Sequence, residues 1–269
     1  MKKPLHILFI GAGRMAEAIF SRMLQKKLDV NITISNLRDQ ERLRTLKNQY
    51  TVQTTSNWVD IFPQADVIIL ACPPSAHANV LAQMNSTIQV DQFIITVAAG
   101  IGPTKLEAAL PKNTAVAWLM PNTAAEVGKS MSIYSLGHHV KDEQKAFFNQ
   151  MVEAIGPAEQ LTEQQVHDLT AVTGSAPAFL YHFVEALEQS AVSFGITKDQ
   201  ARKLVIEMVV GSTAMLDKHR DPAHLKEQVT SPGGATAAGL ATLSDNHFTD
   251  IIGQAVDATN QRAKQLGQE

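Results

Sequence analysis

Leu5-His6-Ile7-Leu8-Phe9-Ile10-Gly11-Ala12-Gly13-Arg14-Met15-Ala16 lies at the start of the chain and decides its fold. An apolar-rich strand runs into G-x-G-x-x-A, and apolar residues then recur at helical spacing at Met15, Ala18, Ile19, Met23 and Leu24. With a strand before and a helix after, each small residue has its own task. Gly11 allows a tight turn, Gly13 lets backbone approach a pyrophosphate, and Ala16 keeps helix and strand close. Gly11, Ala12, Gly13, Arg14 and Met15 are therefore candidate contacts for a dinucleotide. A purely structural glycine turn is the plainer reading, and both flanks weigh against it.

The next strand, Asn31–Ser35, ends where the adenosine ribose of such a cofactor is gripped. NAD-selective sites place a carboxylate there. Here the sequence is Ser35-Asn36-Leu37-Arg38, with no acid before Asp39. Small polar groups and a guanidinium suit a 2′-phosphate, so NADP(H) is favoured, with NAD(H) possible at lower affinity. The plain alternative is that Arg38 opens a solvated helix with Asp39, Glu41 and Arg42. Further strands close at Ala71-Cys72-Pro73-Pro74, at Ala98-Ala99-Gly100 and at Pro121-Asn122-Thr123. Such strand ends form the carboxyl edge, where doubly wound sheets take ligands. Small residues at Ala98 to Gly100 leave room for a flat ring. Asn57 is read either as an adenosine contact or as the cap of the turn beginning at Trp58.

Composition narrows the class. Among 269 residues, 45% are apolar and 18% charged, which suits a soluble globular chain, and a net charge of −3 offers no nucleic-acid or membrane surface. A single cysteine, Cys72, rules out an internal disulfide and suits a reducing cytoplasm. Met1-Lys2-Lys3 resembles the start of a leader, but the apolar run behind it is short, broken by His6 and closed by glycines, so a strand is expected instead. No stretch approaches the ~20 apolar residues that cross a bilayer. His138-His139 has no third ligand at metal spacing, and no metal site is expected.

Gly156-Pro157 ends the strand–helix alternation, and no convincing strand follows Glu163. The expected division is 1–160, an α/β dinucleotide-binding domain of Rossmann type, and 161–269, an all-α domain. Val166 to Phe194 reads as helix interrupted at Thr173-Gly174-Ser175-Ala176-Pro177, where the proline either opens a new helix or kinks a continuing one. Thr197 is a good N-cap for a helix from Asp199 to His219. That helix is apolar on more than one face, through Leu204, Val205, Ile206, Met208, Val209 and Val210. It needs cover on several sides, from an intertwined homodimer or from a central position within one protomer.

Near the far end stands Thr230-Ser231-Pro232-Gly233-Gly234-Ala235-Thr236-Ala237-Ala238-Gly239. A tight turn opening a helix directs free backbone N–H groups outward, and the positive end of the helix dipole favours an anion there. The plain alternative is a glycine-rich connection between helices.

Taken together, Gly11–Ala16, Val97–Gly100, Met120–Thr123, Val172–Phe179 and Ser231–Thr236 resemble, in order and spacing, the pyrroline-5-carboxylate reductase family over essentially the whole chain. The resemblance implies NADPH-dependent reduction of a five-membered cyclic imine bearing a carboxylate, the last step to proline. It also implies a helical dimerisation domain, assembly as a homodimer or a ring of dimers, and an active site built from both subunits. Thr236 matches the family's substrate-contacting threonine, taken as the catalytic residue. Glu163, Ser175, Ser231, Gly233, Gly234, Ala235 and Ala237 fall at substrate-side positions, Ser175 being equally at home in a turn. There are departures: Pro73 stands where the family carries Lys, Ala124 where it carries Pro, and Glu227 where it commonly carries Asp. The runner-up readings are a hydroxy-acid dehydrogenase of similar architecture and a non-catalytic NADP-binding regulatory relative. The first is disfavoured because Ser175 to Phe194 contains no lysine to move a proton.

Overall fold

A computed structural model describes residues 3–268. Met1 and Lys2, read above as leading into a strand and not a leader peptide, lie outside the described residues. The chain divides into a larger unit, which runs to Ser175 and resumes at Thr259, and a smaller unit, Ala176–Ala258.

The larger unit is a doubly wound sheet. Its elements are β1 (Leu5–Ile10), α1 (Arg14–Gln25), β2 (Val30–Ser35), α2 (Gln40–Gln49), β3 (Gln53–Thr55), β4 (Val67–Leu70) and α3 (Pro74–Asn85). There follow β5 (Phe93–Thr96), α4 (Pro103–Ala109), β6 (Ala115–Met120), β7 (Ser132–Leu136), α5 (Asp142–Ile155), β8 (Ala158–Gln160) and α6 (Glu163–Thr170). The strand order is β3-β2-β1-β4-β5-β6-β7-β8. Pairing is parallel from β3 to β6, antiparallel between β6 and β7, and parallel again to β8. β3 and β8, three residues each, carry too little periodicity to be read from sequence.

Alternation along the central strands builds a core on each face. Ile7, Phe9, Val67, Ile69, Phe93 and Ile95 gather with α1, α2 and α5. Leu8, Ile10, Ile68, Leu70 and Ile94 gather with Val80, Leu81 and Met84 of α3 and Leu106 of α4. Because both faces are covered, the exposed business end of the sheet is its carboxyl edge.

Between α6 and the helix that follows, Ala171–Ser175 forms a π-helical turn. Pro177 explains it: the ring leaves the carbonyl of Thr173, four residues earlier, without a helical donor. That carbonyl instead accepts from Asn122 Nδ2 at 2.9 Å. Asn260 clips the same region, taking Ala171 N–H at 3.1 Å and donating to the Asp168 carbonyl at 2.6 Å.

The smaller unit consists of α7 (Ala176–Ser193), α8 (Lys198–His219), α9 (Pro222–Gln228), α10 (Ala235–Asp245) and the first turns of α11 (Phe248–Gln268). Thr197 caps α8 as the sequence predicts, accepting from Gln200 N–H at 3.2 Å. Only Ala201 and Val205 among its described apolar residues are buried. Leu204, Met208, Val210 and Phe194 stand exposed, so α8 is not covered within the protomer as the central-helix alternative requires.

Candidate active site

The turn after β1 is held by what it touches. Gly11 has φ +117°, and a Cβ there would fall 2.4 Å from the Ala71 carbonyl oxygen, so only glycine fits. Gly13 differs: a Cβ on it would meet nothing within 4 Å. Its small size is therefore not demanded by the protein and leaves space for an incoming group. Gly13 is also the N-cap of α1 and supplies no side-chain cap, so the first-turn N–H groups stay available to an anion. Ala12 is buried, and its carbonyl receives Arg42 Nε at 3.0 Å. Arg42 in turn pairs with Glu17, which accepts from the Tyr50 hydroxyl at 2.9 Å. α2 thus braces the glycine turn. Arg14 points outward to Glu126 at 2.9 Å, and Met15 packs against the core.

At the end of β2, Ser35 is buried and its carbonyl takes the Gly11 N–H at 2.9 Å. The Asn36 side chain folds back onto the N–H groups of Arg38 and Asp39, both at 3.1 Å. Asp39, the first carboxylate after the strand, caps α2 through Arg42 N–H at 2.8 Å and is committed there. Arg38 is exposed, and its guanidinium has no side-chain partner among the described residues. A committed acid beside a free guanidinium fits a 2′-phosphate better than a bare ribose hydroxyl. Asn57 serves as a cap: Oδ1 accepts from Val59 N–H at 3.3 Å and Nδ2 donates to Asp60 at 2.9 Å.

Three more strand ends complete this edge. Cys72 is half-buried, and burial pushes its thiol up to about 11, so it is no nucleophile. Pro73 precedes α3 and Pro74 starts it. Beyond β5, the Ala98 carbonyl accepts from Trp118 Nε1 at 2.9 Å, and Ala99 lies partly buried beside Trp118. Gly100 has φ +78°, and a Cβ there would strike the Ala263 carbonyl at 2.3 Å, so α11 sets that glycine. Asn122 is buried: its N–H donates to Ser130 Oγ and Oδ1 takes Ala124 N–H, each at 2.9 Å. With Nδ2 on Thr173, its amide is fully occupied in fastening loops.

Glu163 stands at the start of α6. Its carboxylate accepts from Thr104 Oγ1 at 2.6 Å and Thr104 N–H at 3.1 Å, capping α4, and lies against Gly102. His167, one turn on, packs against Trp118 with the rings tilted and 4.5 Å between their centres, and burial lowers its pKa. Ser175 is half-buried in the π-helical turn.

The smaller unit presents the second anion-ready terminus. Gly233 has φ +70°, and the Gly234 N–H closes a turn onto the Ser231 carbonyl at 2.9 Å. Gly234 is the N-cap of α10 and again supplies no side-chain cap. Ala235, Thr236 and Ala237 occupy the first turn, with Thr236 and Ser231 exposed. The sequence reading missed Arg42, His77 and Thr96, which hold the cofactor edge. The signal for His77 was present, since it falls in register with the apolar positions Val80, Leu81 and Met84 of α3. Thr96 is likewise the one polar residue in Phe93–Thr96. Among the described residues no cluster of potential metal ligands forms, and no helix is long and apolar enough to cross a membrane.

Comparison with known proteins agrees with both halves. Residues 163–266 match the family described as pyrroline-5-carboxylate reductase dimerisation. Residues 6–100 match NADP oxidoreductase, coenzyme F420-dependent. The chain is 33% identical to pyrroline-5-carboxylate reductase 2 of Bacillus subtilis, over 97% of this chain and 95% of that one. It is 31% identical to the Vibrio alginolyticus pyrroline-5-carboxylate reductase over 97% of each. Among solved structures, Plasmodium falciparum pyrroline carboxylate reductase with NADP bound superposes with a TM-score of 0.88 at 25% identity, covering 99% of this chain and all of that one. The Streptococcus pyogenes enzyme gives 0.88 at 29% identity, covering 98% and 100%.

Proposed function

The chain belongs to the pyrroline-5-carboxylate reductase family, and from that premise we propose how its residues divide the work. It is an NADP(H)-binding oxidoreductase that reduces 1-pyrroline-5-carboxylate to L-proline. The observation that carries the division is that two helices open from glycine turns, α1 after Gly13 and α10 after Gly234, with no side-chain cap on their first N–H groups. Besides the 2′-phosphate, a pyrophosphate and a substrate carboxylate need holding, and each terminus suits one.

Gly11 to Met15 take the pyrophosphate; Ser35, Asn36 and Arg38 take the 2′-phosphate, with NAD(H) bound more weakly. Asn57, Ala71 to Pro73, Ala98 to Gly100 and Asn122 border the rest of the cofactor. The turn from Gly233 to Ala237, with Ser231, holds the carboxylate through its free N–H groups, the Gly234 N–H being spent on the Ser231 carbonyl, and Glu163 and Ser175 border the substrate. Bound NADPH supplies a hydride to the imine carbon, leaving a secondary amine and NADP⁺. The Thr236 hydroxyl meets the ring nitrogen and orients it. The imine arrives protonated, so no strong general acid is required, and holding the imine carbon at near-attack distance contributes up to ~7–11 kcal/mol. We place this chemistry in a soluble cytoplasmic homodimer, or a ring of dimers, formed through residues 161–269. The apolar surface left open on α7 and α8 supports that assembly.

The test follows loss of reduced nicotinamide absorbance with pyrroline-5-carboxylate, with NADPH and NADH in parallel, for wild type and Thr236→Ala. Faster turnover with NADPH, crippled in the variant by about 100-fold, is expected. Tight NADPH binding without turnover of any cyclic imine would return the non-catalytic reading that Pro73 motivates.

A further inference from the structure

His77 is a titratable side chain within the core beneath the cofactor edge, 1% exposed. Its ring spans two loops. Nδ1 lies 3.1 Å from the Pro73 carbonyl oxygen at the exit of β4. Nε2 lies 2.9 Å from Thr96 Oγ1 at the exit of β5. A carbonyl only accepts, so Nδ1 carries the proton and Nε2 is left to accept from the Thr96 hydroxyl. Having donated, that oxygen receives the Ala98 N–H at 3.1 Å. The hydrogen bonds therefore run in one direction, from Ala98 through Thr96 to His77, and from the far side of the ring to Pro73. Cys72 Sγ, 3.7 Å from Nδ1, adds a weak second acceptor. Burial lowers the pKa of His77, and Lys105 adds to the effect, so the ring stays neutral.

The anchor matters because Pro73 and Pro74 have no N–H groups. The Pro73–Pro74 step itself can be tied down only through its carbonyls, and Pro73 offers its own to Ala76 N–H at 3.0 Å and to His77. Across the gap, the Ala98 N–H is held by the same relay and its carbonyl by Trp118.

We propose that His77 is a positioning residue for hydride transfer, a strut fixing the separation of the Cys72–Pro73 and Ala98–Ala99 loops so that the nicotinamide between them presents one face at a constant distance. This rests on the reading above that these two loops flank the nicotinamide.

The experiment compares wild type with His77→Asn, Thr96→Val and Thr96→Ser in the full-length protein. NADPH affinity is read by fluorescence, with thermal midpoint, kcat, KM and the isotope effect with 4-deuterated NADPH. Asn keeps a donor near Pro73 but loses Thr96; Val breaks the same relay from the other side; Ser keeps the hydroxyl. His77→Asn and Thr96→Val should lower kcat by about tenfold or more, since small misplacements of reacting atoms are costly. The isotope effect should rise as hydride transfer becomes limiting, while KM for the imine stays within about twofold. The double variant should be no worse than either single one, and Thr96→Ser should recover wild-type rates. His77→Gln, which reaches Thr96 but not Pro73, gives the same signature by a second route should His77→Asn fail to fold. Wild-type kcat and isotope effect in all of these, with only the thermal midpoint lowered, would make His77 an ordinary core residue and overturn the proposal. A wild-type protein that binds no NADPH would overturn the cofactor reading itself.

Discussion

In the larger unit Phe9, Phe20, Phe62, Phe93, Phe148 and Trp118 are all fully shielded from solvent. In the smaller unit Phe194 is 84% exposed, Leu204 62% and Val210 56%, and the described buried apolar side chains stop at Ala201 and Val205. The two units contain similar residues, but only the first finds partners for them within its own chain. A helix pair such as α7 and α8, joined at its edge by Arg202 and Glu188 at 3.3 Å, cannot rest on that ion pair, since exposed pairs contribute little. The cofactor half therefore owes its shape to itself. The other half, which matches a family described as pyrroline-5-carboxylate reductase dimerisation, leaves much of its apolar surface uncovered by its own chain.

Truncating the self-sufficient core has the largest expected effect. Trp118→Ala deletes a fully buried indole, its bond to the Ala98 carbonyl and its ring contact with His167. It should cost about 3–5 kcal/mol of unfolding free energy. Urea denaturation checks this; a loss below about 1 kcal/mol would mean that this core is less rigid than its burial implies.

Met208→Glu probes the other side of the comparison. At 46% exposure, this residue on a lone protomer should tolerate the change within about 0.5 kcal/mol. If the proposed dimer forms through this face of α8, the same charge is buried, so sedimentation should show the variant dissociating while its NADPH affinity is retained. A variant that remains dimeric would place the interface on another face of α8.

Legibility in the sequence follows the same divide. Gly11-Ala12-Gly13 could be read because strand, turn and helix are contiguous, and the positive φ of Gly11 is what the motif requires. The bracing of that turn by Arg42 could not, because the contact joins residues thirty apart through a backbone carbonyl. The His77–Thr96 relay was hidden for the same reason, although each residue interrupts an otherwise apolar register. The interruption at Pro177 was legible, whereas the π-helical turn that resolves it depends on Asn122, far upstream. In the smaller unit the helices, the Thr197 cap and the anion-ready turn at Ser231–Thr236 were readable, whereas the part of Thr236 in catalysis rested on resemblance, because its own chain fixes nothing about the group it would meet.

The smallest expected effect is a dependence on pH at the rim of the larger unit. His138 Nδ1 meets Glu107 Oε2 at 2.9 Å. The hydrogen bond that the ring donates to Glu107, and then the Glu107 charge, raise the pKa of His138. Burial pushes Glu107 up, but the backbone and side-chain hydrogen bonds of His138, with the charges of both neighbouring imidazoles, outweigh it and leave the carboxyl lowered. The signs fix the window. The histidine's share of stability is fully present below the ordinary imidazole pKa and is lost as pH rises through its raised folded value. The carboxylate's share is present above the ordinary Glu pKa and is lost as pH falls through its lowered folded value. Stability should therefore be greatest between the two and decline gently on either side. His138 is open to solvent, so screening keeps the effect small, and added salt should shrink it further. Glu107→Gln should flatten the alkaline side of the profile in urea midpoints taken from mildly acidic to mildly alkaline buffers. An unchanged slope there would assign the decline to a different histidine, with buried His77 and half-buried His167 unsuitable because their lowered values give the opposite sign.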